Sequence, residues 1–567
     1  MVDFSPIPVR YGEKNFNEQR FWLADENVFD FFNVKLLKGN PESALREPFS
    51  VILTEASARK YFGDEDPMNK VLRSNNQFDL KVTGIYKAFP PNTHLHPDMM
   101  VSFTTLNDTA VYGAENLRTN WGNNSFLTYI QLPAGYDPAR LEAQFPGFLD
   151  RHMFESGKYK TSQWTSLSLQ KLTDIHLRSH LDYEAEENGD IKRVYIFSAI
   201  ALFILLIACI NYMNLSTARS ALRAREIGIR KVVGAERREI IAQFLTESVL
   251  VTLLASILAF GLTWLLLPWL NRMSGQQLSM QSLLQTRVLL TLVAVPFLVG
   301  IVSGIYPALF MSSFKPIKVL KGLFKAGGTN ISFRKVLVTV QFTVSVILII
   351  STVVVMRQMK FMQQAKLGFD RDHIITLPYN GAIGERFEAF RTELMTDPGV
   401  RNATRSSRIP TGRLLDALGS RIRKADTLAP MNTEIKFVSA DHEFVPTYGI
   451  KVVAGRGFSK DYGTDTAAFL LNEAAVSALG FTSKEEVIGK DFGYGARNGK
   501  IIGVIGDFHF ESMHQKIVPL VLLVPRNTNA YGRISIKVSG SRMPETLAHI
   551  ERSWQKFLPE VPYEYTF

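Results

Sequence analysis

Two neighbouring histidines are the first residues in this chain whose types could do chemistry. His94 and His96 lie in the sequence HLHP, and paired imidazoles of this kind can bind a metal ion. No third ligand lies at a recognisable spacing, and Pro97 marks a turn. The pattern therefore favours a solvated loop over a metal site.

Two Asp-x-His sequences, beginning at Asp174 and Asp507, could supply a general acid and base. Each follows an apolar run, as polar residues at strand ends do, and no nucleophile motif accompanies either of them. The chain also lacks the GxxxxGK[ST] phosphate loop of ATP-binding proteins. These patterns predict a protein that is not an enzyme and has no cofactor of its own. If ATP drives it, another chain binds the ATP.

The most informative segment is a basic one, residues 225–235, with the sequence REIGIRKVVGA. Helical spacing puts four apolar residues on one face: Ile229, Val232, Val233 and Ile240. Gly234 can end this short helix, and Ala235 can begin the next one. Such a helix suits docking on a soluble partner, but it suits equally well a position on anionic lipid headgroups that only fixes topology.

Four apolar segments surround this helix in the sequence, each about the length needed to cross a bilayer. They cover residues 194–213, 248–270, 288–310 and 336–356. Ionisable residues are nearly absent from them, which argues against a carrier coupled to ions. Gly300 and Gly304 in the third segment could pack helices within the chain or between two chains.

The formal net charge of +11 is concentrated beside these segments. The loops after the first and third are rich in Lys and Arg, whereas the loop after the second holds only Arg272 and Arg287. The positive-inside rule then places the two basic loops in the cytoplasm and both large flanking regions on the opposite side. The charge is therefore a topology signal and does not indicate a nucleic-acid partner.

Cysteine usage and the first residues add two further expectations. Cys209 is the single cysteine, so we expect no disulfide framework and no cysteine-based metal site. Residues 1–20 are polar and do not resemble a signal peptide, although a large outer domain follows them. We therefore expect the chain to be truncated at its start.

The two flanking regions resemble each other. The sequence ILTEA at 52–56 matches LLNEA at 470–474, and further on VTGI at 82–85 matches IIGV at 501–504. The offset stays between 416 and 420 residues, which indicates a duplicated domain. Within the first copy, apolar runs predict strands at 49–54 and 126–132, and a helix at 55–62.

These patterns predict a multi-domain membrane protein with an α-helical bundle of four spans and two α+β outer domains. The predicted order is a first outer domain at 1–190, three spans at 191–313 with a coupling loop at 215–243, a linker at 314–335, a fourth span at 336–357 and a second outer domain at 358–567.

The basic segment also carries a family resemblance. Residues 224–235, followed by FLTES at 244–248, resemble the cytoplasmic loop of FtsX-like permeases, the membrane subunits of the MacB and lipoprotein-release class of ABC transporters. Residues 51–55, 60–63 and 66–70 resemble the MacB-type periplasmic core domain. The resemblance covers essentially the whole chain, in the duplicated form typical of Bacteroidetes. Because a family half-unit has one span, a periplasmic domain and three more spans, the resemblance implies a chain truncated at both ends.

The resemblance implies a mechanism. In this family a separate cytoplasmic ATPase hydrolyses ATP, and a coupling helix in the permease passes the motion to the periplasmic domains. Carried over, the coupling helix is residues 226–235. The residues expected to contact the ATPase are Glu226, Ile227, Gly228, Ile229, Arg230, Val233, Gly234 and Ala235.

The leading prediction is therefore the permease subunit of a MacB-like ABC exporter of peptides, antibiotics or lipid-linked cargo. It places the chain in the bacterial inner membrane with both large domains in the periplasm. The alternative is an FtsX-type mechanical signalling protein that regulates a cell-envelope hydrolase or a sensor. The expected partners are an ABC ATPase and the membrane, to which a second permease or a homodimer and a periplasmic adaptor could be added.

Overall fold

The computed structural model describes all of residues 1–567 except 4–5, 91, 154–159, 182–183, 275–277, 280–283, 315–330, 415, 425–426 and 514. The described residues form two compact units, one made of Met1–Asn188 and Gln364–Phe567, the other of Gly189–Gln363. The first unit contains both copies of the outer domain, and the second contains the long helices. Most of the linker predicted at 314–335 lies outside the described residues, and its last five residues, 331–335, begin the helix Ile331–Gln364.

The first domain is built on a sheet with the strand order β1-β4-β9-β6-β8-β7-β2-β3, and β5 also pairs with β8. Its elements are β1 (Val2–Asp3), β2 (Ile7–Tyr11), β3 (Lys14–Glu18), β4 (Phe21–Ala24), α1 (Val28–Phe31), β5 (Leu36–Lys38), β6 (Ser50–Thr54), α2 (Glu55–Phe62), β7 (Val71–Ser74), β8 (Phe78–Tyr86), β9 (Met99–Ser102), α3 (Ala114–Thr119), α4 (Pro138–Glu142), α5 (Phe145–His152) and α6 (Ile175–Arg178).

The second unit consists of long helices. They are α7 (Ile191–Val232), α8 (Arg237–Ser274), α9 (Thr286–Ser312) and α10 (Ile331–Gln364). Each contains a stretch that is long and apolar enough to cross a membrane. The prediction of four spans is confirmed.

The second domain contains a seven-stranded sheet, in the order β14-β17-β15-β18-β13-β12-β16, and a separate three-stranded sheet, in the order β10-β19-β11. Its elements are β10 (Ile374–Pro378), α11 (Phe387–Leu394), β11 (Val400–Ser406), β12 (Ala417–Lys424), β13 (Thr427–Ser439), α12 (Phe444–Thr447), β14 (Val452–Gly455), β15 (Ala468–Asn472), α13 (Glu473–Ala478), β16 (Asp491–Tyr494), β17 (Arg497–Ile505), β18 (Leu520–Leu523), β19 (Arg533–Val538) and α14 (Met543–Phe557).

The strand and helix predicted at 49–62 are confirmed, and local chemistry explains why they form there. All five residues of β6 are buried, as expected of an apolar strand inside a sheet. Thr54 then caps α2, because its side chain accepts a hydrogen bond from the backbone N–H of Ser57. Gly63 ends the helix with a φ of 63°, which a glycine adopts without strain.

The duplication is confirmed by strand pairing. β6 runs parallel to β8 with a register shift between Val51 and Ile52, and β15 runs parallel to β17 with a shift between Phe469 and Leu470. Both copies then place an antiparallel strand on the other side of the buried strand: β9 next to β6, and β18 next to β15. Such an irregularity at matching positions indicates descent from one domain.

The strand predicted at 126–132 is wrong. The described residues of this segment form no strand, and the backbone of Leu127 exchanges hydrogen bonds only with Met1. An apolar alternating sequence becomes a strand only where a neighbouring strand completes its hydrogen bonds, and residues 128–132 have no such neighbour among the described residues.

Candidate coupling site

The segment 226–235 forms the end of a much longer helix. α7 has 42 residues, so it is about 63 Å long at 1.5 Å per residue, roughly twice the thickness of a bilayer core. Its apolar part ends at Arg219. The expectation of a separate short helix is therefore wrong, because the predicted coupling residues continue the first span without a break.

A glycine turn connects α7 to α8. Gly234 has a φ of 109°, and the backbone N–H of Ala235 donates to the carbonyl of Arg230 at 3.0 Å. This is the left-handed C-terminal cap that favours glycine. Glu239 caps the start of α8, because its carboxylate accepts a hydrogen bond from the backbone N–H of Glu236 at 3.0 Å. The prediction that Gly234 ends the helix is confirmed.

One side of this helix end is buried against the other helices. Ile227 is only 4% exposed and belongs to an apolar cluster with residues of α8 and α9. Gly228 is also buried. Both residues were predicted to contact the ATPase, and neither is exposed in this chain. Ile240 of α8 belongs to the same interior cluster, so it does not share the exposed face with Ile229, Val232 and Val233 on which the sequence grouped it.

The opposite side is exposed and apolar. Ile229 is 50% exposed, Val232 is 64% exposed and Val233 is 82% exposed. Arg230 lies beside them and donates to Glu226 at 2.7 Å and to Gln243 of α8 at 2.6 Å. We call residues 229–235 the coupling turn. It combines an apolar surface with a cation held in a fixed position.

Lys231 fixes the coupling turn to α9. Its Nζ donates to the carbonyl of Ser312 at 2.6 Å and to the carbonyl of Phe314 at 3.0 Å. A cation is favourable there because the last carbonyls of a helix lack partners within the helix. Burial, and secondarily the charge of Arg237, lowers the pKa of Lys231. The sequence analysis did not predict this role of Lys231. It could have been inferred from the last turn of the third span, which contains no basic residue of its own to pair with the free carbonyls.

A second connection joins α7 and α8 just before the coupling turn. The guanidinium of Arg223 donates to both carboxylate oxygens of Glu247, each at 2.9 Å. Both hydrogen bonds come from one nitrogen, Nη1, and this charge-assisted contact links α7 to α8. Together with the hydrogen bonds of Lys231 it links the ends of α7, α8 and α9.

The two glycines of the third span pack within the chain. A Cβ on Gly300 would lie 2.7 Å from the Cα of Val249, and a Cβ on Gly304 would lie 2.6 Å from the Oγ of Ser248. Small residues are therefore required where α9 crosses α8. Of the two readings left open by the sequence, the structure supports packing inside one chain.

The histidine pair lies in the first domain and has protein partners. His94 is buried and its Nε2 lies 2.9 Å from the hydroxyl of Tyr129, while Nδ1 of His96 lies 2.6 Å from Glu186. Burial lowers the pKa of His94. The interpretation as a solvated loop is wrong for His94. Among the described residues, no group of three or more His, Cys, Asp or Glu side chains could hold a metal ion.

Comparison with known families agrees with this architecture. Residues 198–316 match the family described as FtsX-like permease C-terminal, and residues 2–147 match the MacB-like periplasmic core domain. The chain therefore contains one region similar to the FtsX-like permease C-terminal domain and one similar to the MacB-like periplasmic core domain, the two families that the resemblance implied.

Individual relatives are similar over part of their length. The macrolide export ATP-binding/permease protein MacB of Psychrobacter cryohalolentis is 30% identical over 125 residues, 22% of this chain and 18% of that protein. MacB of Chlorobium luteolum is 27% identical over 47% of this chain and 36% of its own length. The uncharacterized ABC transporter permease YknZ of Bacillus subtilis is 33% identical over 22% of this chain and 31% of its length. The chain thus spans about a fifth to a third of these relatives.

Two solved structures show a distant likeness. The periplasmic region of MacB from Actinobacillus actinomycetemcomitans is 16% identical, with a TM-score of 0.23, over 34% of this chain and 86% of that one. The extracellular domain of YknZ from Gram-positive bacteria gives the same identity and TM-score, over 34% of this chain and 96% of that one. The strand pairing described above, and not these scores, defines the fold.

Proposed function

We propose that this chain is the permease subunit of an ABC exporter and receives motion from a separate ATPase through the coupling turn. The observation that carries the proposal is the exposed apolar surface of Ile229, Val232 and Val233, beyond the apolar part of α7. Contiguous apolar surface of this kind in water marks a site that another protein covers. The adjacent Arg230 suits a groove with acidic or carbonyl groups.

The helix geometry supports transmission of motion. α7 runs unbroken from Ile191 to Val232, so a force on the coupling turn acts along one continuous helix. Lys231 and Arg223 connect that helix to α9 and α8, so the three helices share the load. A rigid connection is needed because a flexible loop would absorb the movement of the ATPase.

The proposed contact set follows from exposure. Ile227 and Gly228 support the turn from inside, and Val232 joins the exposed set. The residues proposed to touch the ATPase are Glu226, Ile229, Arg230, Val232, Val233, Gly234 and Ala235.

We also propose a cargo class, a cellular location and domain limits for this chain. The relatives named MacB are macrolide export proteins, which supports export of antibiotics, peptides or lipid-linked molecules. The basic loops support an inner-membrane chain with both outer domains in the periplasm. We retain the outer domains at 1–190 and 358–567, with a second permease or an adaptor as additional partners.

Co-purification with candidate ATPases tests the proposal. We expect Ile229→Asp and Val233→Asp each to weaken ATPase binding by at least about 30-fold, because a charge would replace an apolar contact at a desolvated interface. Stimulation of ATP hydrolysis should fall in parallel. The matched control is Leu278→Asp, the same change at an exposed leucine in the loop between α8 and α9. Unchanged ATPase binding by both turn variants would show that the coupling turn is not the contact.

A further inference from the structure

The connector between α10 and the second outer domain forms one wall of a cleft. This connector is residues 365–372, and the other walls are residues 449–453, the start of α13 at Glu473, and Asp507 after β17. The cleft has a volume of about 640 Å³, within the usual range of ligand sites in proteins. It belongs to the second domain, and neither the coupling turn nor the contacts of the spans involve it.

Backbone contacts hold the connector wall of this cleft in place. The N–H of His509 donates to the carbonyl of Leu367 at 2.8 Å, and the N–H of Asp370 donates to the carbonyl of Tyr448 at 2.7 Å. Between these two bonds, Gly368 has a φ of 85°, and a Cβ there would lie 2.6 Å from a carbonyl oxygen of the loop after β17. The connector is therefore fixed to the domain, and the cleft is part of its fold.

Two cations that line this cleft have no partner. They are Lys366 of the connector and Lys451 of the facing segment, and neither ammonium group makes a hydrogen bond or an ion pair within the described part of the chain. The lining acids Asp370 and Glu473 do not neutralise them, because each forms an ion pair with a lysine outside the lining. Two unpaired ammonium groups at one cavity favour an anionic ligand group.

One carboxylate of the cleft is only half satisfied. Oδ1 of Asp507 accepts a hydrogen bond from the backbone N–H of Ala474 at 2.9 Å, whereas its Oδ2 has no donor among the residues that the structure describes. Asp507 lines the cleft and is partly buried, and this burial raises the pKa of its carboxyl group. A partly buried carboxylate oxygen without a donor is unfavourable, so a cationic hydrogen-bond donor suits this position.

The two outer domains differ at this carboxylate. In the second domain the backbone N–H of Gly506 donates to the carbonyl of Lys451 at 2.8 Å, and in the first domain Lys87 makes the same bond to Lys35 at 2.9 Å. The next residue is Asp507 in the second domain and an alanine in the first. The shared fold therefore accepts an uncharged side chain here, and the carboxylate serves something other than the sheet.

The chain itself brings this cleft close to the bilayer. The apolar part of the fourth span ends at Met356, and Arg357, Lys360 and Phe361 follow it, which are residue types typical of the headgroup level. The helix ends at Gln364, and the connector begins at the next residue. The residues 357–364 cover about 12 Å at 1.5 Å per residue, so the connector starts at the outer edge of the headgroup layer.

We infer that this cleft binds the headgroup of a bilayer phospholipid of the phosphatidylethanolamine type. The phosphate accepts from Lys366 and Lys451, and the ammonium group donates to Oδ2 of Asp507. Phosphatidylglycerol would satisfy the two lysines but offers no cation to Asp507. Phosphatidylcholine has a cation, but its quaternary nitrogen has no N–H to donate. The bound headgroup ties the connector to the bilayer surface, whichever protein contacts the coupling turn.

The first experiment varies the lipid around the full chain. Hydrogen exchange is measured by mass spectrometry in nanodiscs of phosphatidylcholine alone and of its equimolar mixtures with phosphatidylethanolamine or phosphatidylglycerol. We expect the 365–372 amides to exchange about tenfold more slowly with phosphatidylethanolamine than with phosphatidylcholine alone, because the bound headgroup opposes local opening. Phosphatidylglycerol should give a smaller effect. Equal exchange in all three lipids would overturn the proposal.

The acidic contact is tested by Asp507→Asn, which removes the charge but keeps an oxygen for the N–H of Ala474. We expect the slowing by phosphatidylethanolamine to fall to the level seen with phosphatidylglycerol, because only the ammonium contact is lost. The matched control is Asp461→Asn, the same change at an exposed residue of this domain that does not line the cleft. An undiminished effect of phosphatidylethanolamine in Asp507→Asn would contradict the assigned contact.

The phosphate contact is tested by Lys451→Gln, with Lys500→Gln as the control at an exposed lysine outside the cleft. Lys451→Gln should reduce the slowing by phosphatidylethanolamine and by phosphatidylglycerol alike, whereas Lys500→Gln should change neither. Equal losses in the two variants would show that general surface charge, and not the cleft, attracts the lipid.

A last arm distinguishes the bilayer from a soluble source of the same headgroup. Millimolar phosphoethanolamine is added to the full chain in nanodiscs of phosphatidylcholine alone. We expect little slowing of exchange at 365–372, because a free headgroup pays the entropic cost of binding that a lipid beside the cleft has largely met. Slowing equal to that produced by phosphatidylethanolamine would overturn the assignment to a bilayer lipid.

Discussion

The two outer domains have the same arrangement of strands around their buried central strand. Each also has a pair of aromatic side chains, here called the aromatic socket, but a different segment of the chain packs against it. In the first domain, Phe32 and Phe89 form the socket, and the ring of Tyr129 lies 5.0 Å from that of Phe32. In the second, Tyr448 and Phe508 form it, and it holds Phe369 at 5.9 and 6.2 Å. Phe369 belongs to the segment that follows α10, whereas Tyr129 belongs to the domain's own loop.

The two copies also hold different connecting segments. The second domain holds the segment after α10 by its backbone as well, since Asp370 donates to the carbonyl of Tyr448 at 2.7 Å and His509 donates to that of Leu367 at 2.8 Å. The first domain holds the segment before α7 through His96 and Glu186. Each copy thus holds one of the segments that lead to or from a membrane helix. The two copies hold these segments at different places on the fold.

The largest effect is expected where the copies should behave alike. Gly39 and Gly455 have positive φ values, and a Cβ would lie 2.5 Å from the carbonyl oxygen of Thr83 or 2.3 Å from that of Ile502. Gly39→Ala and Gly455→Ala should each reduce the free energy of unfolding of their domain by about 4 kcal/mol, from backbone strain and overpacking. Hydrogen exchange of peptides from β8 and β17 measures the two losses. A large loss in one domain only would break the equivalence of the copies at this turn.

The next largest effect is a pH dependence of stability that only the second domain should show. Burial raises the pKa of Asp441 to about 6, whereas its counterpart Asp25 is exposed. Because the folded state holds this proton more tightly than the unfolded state, the contribution of Asp441 to stability is greatest below about pH 4 and falls as the pH rises through 6. The loss should reach at most about 3 kcal/mol.

Denaturant unfolding of the full chain, followed by hydrogen exchange between pH 4 and 7.5, tests this. The slope should appear in the second domain and vanish in Asp441→Asn, while Asp25→Asn leaves it unchanged. A slope that survives in Asp441→Asn would assign it to another group.

A smaller effect distinguishes the two socket residues. Phe369→Ala and Tyr129→Ala should each cost about 2 kcal/mol, because both rings are only partly buried. Only Phe369→Ala should also speed amide exchange at 365–370, since that ring belongs to the connector. Faster exchange at 365–370 in Tyr129→Ala as well would show that the sockets are coupled, which the comparison does not predict.

The smallest effect concerns the connector of the first domain. Glu186→Ala removes the partner of both His96 Nδ1 and the His96 backbone N–H, and should cost about 1 kcal/mol. Exchange at 184–188 should rise, while exchange at 365–370 stays constant. The neighbouring Glu187→Ala is the control, since Glu187 makes no hydrogen bond among the described residues. Equal effects of the two variants would show that the contact between Glu186 and His96 does not hold this segment.

Sequence patterns predicted the parts of this fold that depend on local composition. The four spans, the strand and helix at 49–62, the glycine cap at Gly234 and the duplication all follow from residue type and spacing. They succeed because bilayer length, helix capping and apolar alternation act over a few residues. The contact role of the coupling turn was proposed from the same segment and stays a prediction.

Three errors came from contacts between distant segments. The segment 126–132 has the alternation of a strand but no neighbour that would make it one. Ile227 and Ile229 are both apolar residues of the same helix, and only the position of α8 and α9 decides that the first is buried and the second exposed. His94 is buried because Tyr129 lies over it, 35 residues further along the chain.

The sequence by itself determined that this is a four-span membrane protein with a duplicated outer domain. It also determined that the turn after the first span combines apolar and basic residues. Those features depend on hydropathy, charge and repeat, which are properties of the chain alone. The tertiary structure decided which side of the turn is available to a partner and which segment fills each aromatic socket. It also decided that residues 126–132 form no strand. Burial and sheet formation require a second surface, and its position is set only when the chain folds.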